Sequence, residues 1–564
     1  MKIMFFSLNA AIWSHSLPES RLARELIKHG NEIAYVTCGE AFPVHCTSMD
    51  AFGVATDASV KAKKKICRLC IKNASVINAS ANYHHIQLSS FVNSADHNFT
   101  DNLIHSVTQE NYLEFKYLGV PVGRIATYEP YLKHKKMSTK LSEVQWSDYC
   151  VQLKNCIISL IGFSRIYETQ NPDKVFIYSP QYGTNGVCAE YAINLGSSVY
   201  FVEGSSSNAE RYSALRVWDW AQYRLVNPAL QNWVQMKERI SVEDVLRVKS
   251  HIEELYEGRS FAVFSEPKRG GFVLRDYFSI PNSSKIILAT LSSFDEAYSA
   301  SIIGGFPERK VKSTVFKDQF EWIEKTISFL KDKPNFFLII RVHPRDFPNK
   351  REGTKSEQAE TWRGILSNLP PNVVLNSPEQ KISIYDFLEQ IDLVLTGWSA
   401  TGIEALLHGV SVVTYDKFLP SYPPDIHFSG LTEAEYYKNI EIALFSENRL
   451  TNILGSYRWL AVNFSVGTIR ITPSIELGKR WSRHILFRLI KRFINKIFQF
   501  PIRWLDVRRG FGNEIDRKRF VSFVKENKSS LYGVVLTPPE SYIDNIQLKQ
   551  LVSNADSAAK IQVK

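Results

Sequence analysis

Residues 391–416 have the sequence IDLVLTGWSATGIEALLHGVSVVTYD, which predicts a strand–turn–helix–strand unit. The apolar run Leu393-Val394-Leu395 predicts a strand, Thr396-Gly397 a tight turn, and the segment from Thr401 to Gly409 a helix. A second apolar run then predicts another strand. Backbone N–H groups and the helix dipole at such a helix start can hold an anion, for example a diphosphate. An ordinary crossover turn, in which the small residues only make the bend, is the alternative.

The candidate donor-binding residues of this turn have little side-chain bulk, a hydroxyl group or a well-placed carboxylate. They are Gly397, Ser399, Thr401, Gly402 and Glu404. The first four leave backbone amides accessible to a phosphate group. Glu404 falls in the first turn of the predicted helix, from which its carboxylate can reach the hydroxyls of a ribose.

A second polar turn follows another predicted strand. Residues 335–342, NFFLIIRV, indicate a strand buried on both faces, and this strand runs directly into His343-Pro344-Arg345. In an open parallel sheet, ligands bind beyond the carboxyl ends of the strands, where both turns place their polar residues. His343 can donate a hydrogen bond to a phosphate oxygen, and Arg345 adds a fork of donors. We therefore predict that both turns contact one phosphate group.

These two stretches carry a family resemblance. RVHPR (341–345) followed by DLVLTGWSATGIEALLHGVSVV (392–413) resembles the nucleotide-binding half of bacterial GT-B glycosyltransferases of the capsule polysaccharide biosynthesis type, which include Kdo transferases. It is also similar to the His-Pro and Ser-Ser/Thr motifs of bacterial GT-B sialyltransferases. The resemblance implies that His343, Ser399 and Thr401 contact the donor phosphate, and it favours a CMP-linked sugar. The chain has Ser-Ala-Thr instead of adjacent hydroxyl residues, which leaves the donor nucleotide open.

The length of 564 residues exceeds what one hydrophobic core supports, so two major domains are expected. The predicted fold class is α/β of GT-B type, with two Rossmann-like doubly wound domains facing a cleft. The predicted divisions are an acceptor domain with a Cys-rich insertion, a linker, a nucleotide-sugar-binding domain, and a basic amphipathic helical appendage with a tail. Their ranges are 1–258, 259–284, 285–475 and 476–564.

The amino-terminal residues predict a β-α-β unit. Residues 3–8 indicate a strand, Pro18 opens a helix that Gly30 closes, and residues 32–37 indicate a second strand. The first turn lacks the Gly-x-Gly-x-x-Gly pattern, so this half is not predicted to hold a dinucleotide. In GT-B enzymes this half takes the acceptor. His15, in the loop that would face the cleft, is therefore a candidate catalytic base; the alternative is a solvated loop histidine.

Two further candidate bases follow the strand predicted at residues 285–291. Asp295 and Glu296 come after Ser292-Ser293, where the strand ends. Small hydroxyls followed by carboxylates fit a phosphate-side turn or a catalytic base. They also fit the start of a helix with a capping box, which is the structural alternative.

Four cysteines lie near the amino terminus, at Cys38, Cys46, Cys67 and Cys70. The last two form a Cys-x-x-Cys pair, and a set of four thiols suits a tetrahedral structural zinc ion. An iron–sulfur cluster and unconnected reduced cysteines are the alternatives. Lysines at 61, 63, 64 and 65 would create an electropositive setting that favours thiolates.

Composition is typical of a globular protein, with 44% hydrophobic and 22% charged residues. No run of eighteen apolar residues predicts a membrane span, and the apolar start is interpreted as a first strand. The expected location is the cytoplasm, with peripheral association on the inner face of the plasma membrane as an additional hypothesis. Residues 479–509 hold ten lysines and arginines but one acid, Asp506, and thus most of the net charge of +11.

Aromatic and aliphatic residues alternate with these cations, which is typical of a helix lying on an anionic lipid surface. A packed domain-closing helix is the alternative. Nucleic acid is not a predicted partner because no RNA-binding motif accompanies the charge.

The predicted function is glycosyl transfer from a nucleotide-activated donor to a bacterial surface polysaccharide or lipid-linked glycan acceptor. No Asp-x-Asp motif is present, so transfer is predicted to require no metal cofactor. A sugar-nucleotide 2-epimerase, a teichoic-acid-type polyol-phosphate transferase and a non-catalytic GT-B-like scaffold binding glycan or membrane remain alternatives.

Overall fold

The computed structural model describes residues 1–219, 228–258, 263–305, 312–349, 353–475, 499–536 and 538–561. Thirteen strands in the described residues form two sheets. In chain order the strands are β1 Lys2–Phe6, β2 Glu32–Thr37, β3 His84–Gln87, β4 Lys174–Tyr178, β5 Ser198–Gly204, β6 Ala214–Asp219, β7 Lys285–Thr290, β8 Phe336–Arg341, β9 Val373–Asn376, β10 Leu393–Thr396, β11 Ser411–Thr414, β12 Phe428–Ser429 and β13 Ile469–Arg470.

Helices cover both faces of the sheets. They are α1 Trp13–Lys28, α2 Thr47–Ala51, α3 Val60–Asn78, α4 Ser94–Ile104, α5 Val122–Ile125, α6 Tyr128–His134, α7 Glu143–Gln170, α8 Gly183–Asn194, α9 Pro228–Met236, α10 Val242–Glu257, α11 Leu274–Phe278, α12 Phe294–Ile302, α13 Gln319–Leu330, α14 Gln358–Ile365, α15 Ile384–Phe387, α16 Ala400–Leu407, α17 Glu433–Leu444, α18 Arg449–Ala461, α19 Glu514–Lys525 and α20 Asn545–Ile561. Residues 499–508 form a further helical segment.

In each sheet, the chain adds strands first on one side of the first strand and later on its other side. The first has the order β13-β6-β5-β4-β1-β2-β3, and the second β12-β11-β10-β7-β8-β9. All neighbours are parallel in the second sheet. In the first sheet, β5 and β13 each pair antiparallel with β6. The chain therefore switches sides between β1 and β4, and again between β7 and β10, which creates a crevice beyond the strand ends of each sheet.

The central strands are apolar because helices bury them on both sides. Ile339, Ile340, Leu393 and Val394 are fully buried on alternating faces and belong to two cores that sandwich the second sheet. The predicted strands at the amino terminus and around the two polar turns agree with this sheet arrangement.

Three sequence-based boundaries differ from the structure. The second domain does not extend to residue 475, because β13 pairs with β6 of the first sheet. The predicted linker is mostly part of the second domain, since Leu274 and Ile280 pack into its core. Helix α1 begins at Trp13 instead of Pro18, which lies buried inside the helix. Packing of this buried face outweighs the usual preference of proline for a first turn.

The described part of the appendage packs on the first domain. Phe520 and Phe523 of α19 join the core formed by β1 and β4. The indole nitrogen of Trp13 donates to the carboxylate of Asp506 at 3.2 Å. The predicted membrane-binding segment falls mainly on residues 476–498, which lie outside the described residues.

Candidate functional site

A cleft of about 790 Å³ lies between the two domains. On the second-domain side it begins at the carboxyl ends of the three neighbouring strands β7, β8 and β10. The residues that follow these strands line it: Ser292 and Ser293 after β7, His343 after β8, and Ser399 after β10. Because parallel strands end at one edge of the sheet, turns more than fifty residues apart in sequence meet in one crevice.

His343 is held as a neutral hydrogen-bond donor. Its Nδ1 accepts a hydrogen bond from the backbone N–H of Arg345 at 3.2 Å, which places the ring proton on Nε2. The edge of the imidazole meets the ring of Phe264, with 5.4 Å between centroids. Burial lowers the pKa of His343 to about 4. At neutral pH the Nε2–H group can therefore donate to a phosphate oxygen without adding a positive charge.

Ser399 is the N-cap of α16. Its Oγ accepts from the backbone N–H of Thr401 at 3.2 Å and also donates to the Thr401 hydroxyl at 3.2 Å. The hydrogen bond from the Thr401 N–H fixes the turn at the helix start, which is the usual role of an N-cap serine. Both side chains line the cleft. The helix start thus presents two hydroxyls and the positive end of a dipole to the crevice.

The two glycines of this turn have a packing role. A Cβ atom at Gly397 would lie 2.8 Å from the ring of Tyr415, and one at Gly402 would overlap the hydroxyl of Tyr422. Neither glycine lines the cleft. Tyrosine rings occupy the space beside both glycines, so the predicted donor contact of Gly397 and Gly402 could be made only by their backbone and stays a prediction.

Glu404 lines the cleft one turn into α16. Its carboxylate is hydrogen-bonded by Tyr385 and lies near the guanidinium of Arg341. Burial raises the pKa of Glu404 to about 7, and these two neighbours oppose the rise. The position fits a carboxylate that accepts hydrogen bonds from ligand hydroxyls.

Arg345 differs from its predicted role. Its Nε and terminal nitrogen donate to Asp295 at 2.9 and 2.7 Å, in a pair that is 5% and 1% exposed by side chain. The guanidinium also donates to the carbonyl of Leu132 in the first domain, at 3.2 Å. Arg345 is therefore paired inside the protein instead of facing a phosphate. Asp295 is engaged by the same bonds, which argues against its predicted use as a base.

Glu296 differs from Asp295 although it is the next residue. It lines the cleft, and 57% of its side chain is exposed. Of the two predicted carboxylates, Glu296 is the one that a substrate in the cleft can reach.

His15 lies in the first turn of α1 and not in a loop. Its ring stacks on Tyr178 with 4.2 Å between centroids, and it is not among the residues lining the cleft. Burial lowers the pKa of His15 to about 4, and the positive charge of Arg211 contributes. The structure gives a stacked, neutral histidine that does not line the cleft, so its predicted role as a base requires a rearrangement.

The four cysteines are thiols in this structure. Burial raises the pKa of Cys38, Cys46, Cys67 and Cys70, so the expected thiolates are not favoured. The neighbouring lysines do not offset burial, because Lys61, Lys64 and Lys65 point into solvent. In the portion of the chain with described coordinates, no group of three or more ligating side chains is arranged to hold a metal ion. The zinc hypothesis thus has no geometric support and stays a prediction for elemental analysis.

Several cleft residues were not among the predicted site residues, although Ser292 belongs to the hydroxyl pair that the sequence places after β7. Buried hydroxyls of Thr290, Ser292, Ser206 and Tyr422 line the cleft without a hydrogen-bond partner in the described residues. A buried hydroxyl without a partner costs free energy, so such groups indicate a polar ligand or ordered water. Serines and threonines of this kind are common at strand ends, and only the three-dimensional arrangement distinguishes them.

The fold and cleft define a class: two facing α/β domains of GT-B type, with a polar crevice between them. No helix in the described ranges is long and apolar enough to cross a bilayer. Searches against protein-family models and against curated proteins find no match.

Comparison with solved structures gives remote similarities. Thermosulfurimonas dismutans KpsC, β-Kdo 2,7 transferase, has 14% identity over 59% of this chain and 89% of its own, with a TM-score of 0.31. The corresponding β-Kdo 2,4 transferase has 13% identity over 54% and 83%, with a TM-score of 0.30. A Methanocaldococcus jannaschii UDP-GlcNAc 2-epimerase has 13% identity over 82% and 98%, with a TM-score of 0.26. At these scores the similarities carry no argument about activity, which must rest on the cleft itself.

Proposed function

We propose that this protein is a glycosyltransferase that moves a sugar from a nucleotide-activated donor to a glycan or lipid-linked acceptor. The observation that carries the proposal is the convergence of His343, Ser399 and Thr401 on one cleft at the switch point of the second sheet. Neutral donors and a helix start suit a phosphate group, whose negative charge grows as it leaves the sugar. The sequence resemblance favours a CMP-linked donor.

Glu404 and Glu296 take separate roles in this proposal. Glu404 accepts hydrogen bonds from the ribose hydroxyls, while Glu296 accepts the proton of the attacking acceptor hydroxyl. The acceptor oxygen forms a bond to the anomeric carbon as the bond from that carbon to the phosphate oxygen breaks. The nucleotide then leaves with the electron pair, and His343 donates a hydrogen bond to it. These protein groups supply the charge stabilisation, so we propose that transfer needs no divalent cation.

The first experiment measures nucleotide binding by calorimetry with the mono- and diphosphates of cytidine and uridine. We expect one of them to bind the unmodified protein, and His343→Ala to weaken that binding at least tenfold, because a charge-assisted hydrogen bond contributes about 1.5–3 kcal/mol. A His343→Gln variant keeps a donor and should retain part of the affinity. Unchanged binding in both variants, with folding verified by circular dichroism, contradicts the assignment.

Incubation with the donor alone separates the proposal from an epimerase. A transferase releases nucleotide only when an acceptor hydroxyl or water is used. An epimerase turns the sugar nucleotide into an isomer without any acceptor. Conversion of the donor to an isomeric sugar nucleotide would therefore contradict the transferase proposal and indicate an epimerase.

We also propose that the first domain associates with anionic lipid through α3. This helix contains six cations and no acid, and five of them are exposed: Lys61, Lys64, Lys65, Arg68 and Lys72. Exposed Val60 and Ile71 lie on the same helix. Residues 499–508 pack beside it through Arg503, which donates to Asn73, and expose Trp504 and Leu505. A cationic face with exposed apolar side chains suits an anionic membrane surface.

Vesicle flotation tests this surface. We expect binding to vesicles containing phosphatidylglycerol but not to pure phosphatidylcholine. Reversing the charge of Lys61, Lys64 and Lys65 should weaken binding at least tenfold, since each lysine near such a surface contributes about 1 kcal/mol. The matched control reverses Lys317, Lys381 and Lys438, which are exposed on the second domain. Equal loss in both variants, or no loss in either, contradicts a specific role of α3.

A further inference from the structure

The loop between β5 and β6 forms part of the first-domain wall of the cleft. Ser206, Asn208 and Arg211 of this loop line the cavity. The loop packs tightly on the strand end, because a Cβ atom at Gly204 would overlap the carbonyl oxygen of Arg211. The backbone N–H of Asn208 donates to Nδ1 of His251 at 2.9 Å, which ties the loop to α10. Arg211 therefore projects from a loop that is fixed at two points.

Two arginines of this region line the cleft, and among the described residues one of them, Arg216, donates side-chain hydrogen bonds to the protein. Arg216 donates to the carbonyl of Gly204 at 3.1 Å and to Glu203 at 3.2 Å, and it stacks over the ring of Trp218 at 4.9 Å. For Arg211, the described residues provide no hydrogen bond or ion pair. The carboxylate of Glu203 is already bound by Arg216. Arg211 lies near the same carboxylate, so two arginines share the single charge of Glu203, and Arg211 keeps a fork of five N–H donors in the partly buried cleft.

His251 supplies a second donor to the same wall. Because its Nδ1 accepts the bond from Asn208, the proton lies on Nε2 of a ring that lines the cleft. The ring packs on Phe464, with 4.7 Å between centroids. Burial lowers the pKa of His251 to about 4, so the ring is a neutral donor at pH 7. The buried hydroxyl of Ser206 has no partner in the described residues and adds a third donor.

We propose that Arg211, His251 and Ser206 form an anion-binding subsite that receives a carboxylate or phosphate group of the acceptor. The inference rests on the proposed function, because it takes the first-domain wall as the acceptor side of a transferase cleft. A planar guanidinium fork matches the oxygen pairs of either group, and the net positive charge of two arginines beside one carboxylate matches an anion. The acceptor class is therefore an acidic or phosphorylated sugar instead of a neutral one.

Three related probes separate the ligand chemistries: glucose, glucuronic acid and glucose 6-phosphate. Ligand-detected NMR titrations measure the affinity of each for the full-length protein, and calorimetry measures cytidine monophosphate on the same samples. We expect at least one anionic probe to bind at least tenfold more tightly than glucose. Whether glucuronic acid or glucose 6-phosphate binds more tightly identifies the carboxylate or the phosphate as the preferred group.

The variants are Arg211→Met, which keeps the apolar stem, and Arg124→Met, an exposed arginine on α5 as the matched control. Arg211→Met should abolish the preference for the anionic probe and leave cytidine monophosphate binding within twofold. His343→Ala should do the reverse, which excludes the donor-phosphate site as the place where the probe binds. Arg124→Met should change neither.

Equal affinity for glucose and both anionic probes overturns the subsite, as does an anion preference that survives in Arg211→Met. Arg211-dependent anion binding in a protein that binds no nucleotide contradicts the proposed transferase function and leaves the subsite standing. The two failures are therefore distinguishable.

Discussion

The surroundings of His343 determine which nitrogen of its imidazole carries the proton. The sequence identifies it because it follows a buried strand, but only the structure shows that the backbone N–H of Arg345 fixes its tautomer. The neighbouring Arg345 shows the opposite case. Its donors match a phosphate in principle, yet the nearest carboxylate, Asp295, comes from a different strand end fifty residues earlier. Sequence patterns predict which strand ends meet, but not which side chains bind one another there.

Glu404 leads to a prediction about pH and stability. Burial raises the pKa of this carboxyl from 4.5 to about 7, so the folded chain holds a proton that the unfolded chain has lost between these values. The stability that depends on this bound proton is fully present below pH 4.5. It is lost as the pH rises from 4.5 to about 7, because the unfolded chain then gives up the proton more readily than the folded chain. Glu404→Gln has no such charge. Between pH 5 and 8 its stability should rise relative to the unmodified protein by about 2 kcal/mol.

Urea unfolding at a series of pH values measures this difference. Glu379→Gln, at an exposed position, provides the control with the same chemical change. Parallel stability curves for Glu404→Gln and the unmodified protein would show that Glu404 is not held in its neutral form.

At the scale of the element, the turn between β10 and α16 explains why glycines occur where a phosphate-binding loop was expected. The sequence correctly predicts strand, turn and helix, because apolar runs and capping residues are local signals. It does not reveal that Tyr415 and Tyr422 approach the turn from later parts of the chain. Helix α1 is a similar case. Pro18 is tolerated inside this helix because it is buried, and no local sequence pattern predicts that burial.

Gly402→Ala tests the packing role. The new methyl group would overlap the hydroxyl of Tyr422 and lie 2.9 Å from its ring. We expect a loss of about 1–3 kcal/mol in the free energy of unfolding, the usual range for overpacking. Combining it with Tyr422→Phe should recover part of this loss, because the hydroxyl is removed and has no partner among the described groups. Thermal and denaturant unfolding of Gly402→Ala, Tyr422→Phe and the double variant measure the effect.

An alternative outcome decides between packing and ligand contact. If Gly402→Ala is as stable as the unmodified protein but binds nucleotide more weakly, the glycine contacts the donor as the sequence predicted. The structure favours the loss of stability.

At the scale of the whole molecule, residues 135–138 connect the two domains. Lys135 is fully buried, and its ammonium group donates to the backbone carbonyls of Arg345 and Thr354 in the second domain. Lys136 pairs with the carboxylate of Glu357. The same carboxylate accepts a hydrogen bond from the backbone N–H of Met137 at 2.8 Å. These contacts lie beside the turn that presents His343. The length of the chain predicts two domains, but not this connection, because its partners are more than two hundred residues apart.

Lys135→Met should loosen this connection. The variant removes one ammonium group and its hydrogen bonds to two backbone carbonyls, which we expect to cost about 2–3 kcal/mol. Small-angle scattering should show a larger radius of gyration if the domains separate. Lys136→Met provides a comparison with an expected loss below about 1 kcal/mol, since Glu357 is 35% exposed by side chain. Equal and small effects of both changes would show that Lys135 does not hold the domains together.

We propose that turns from two separate strand ends bind one nucleotide phosphate. A crystal structure of the protein with the nucleotide that binds most tightly tests it most directly. We expect a phosphate within hydrogen-bond distance of His343 Nε2 and of the Ser399 or Thr401 hydroxyl, with the ribose against Glu404. A nucleotide bound on the first-domain side of the cleft, or with its phosphate away from His343, would contradict it.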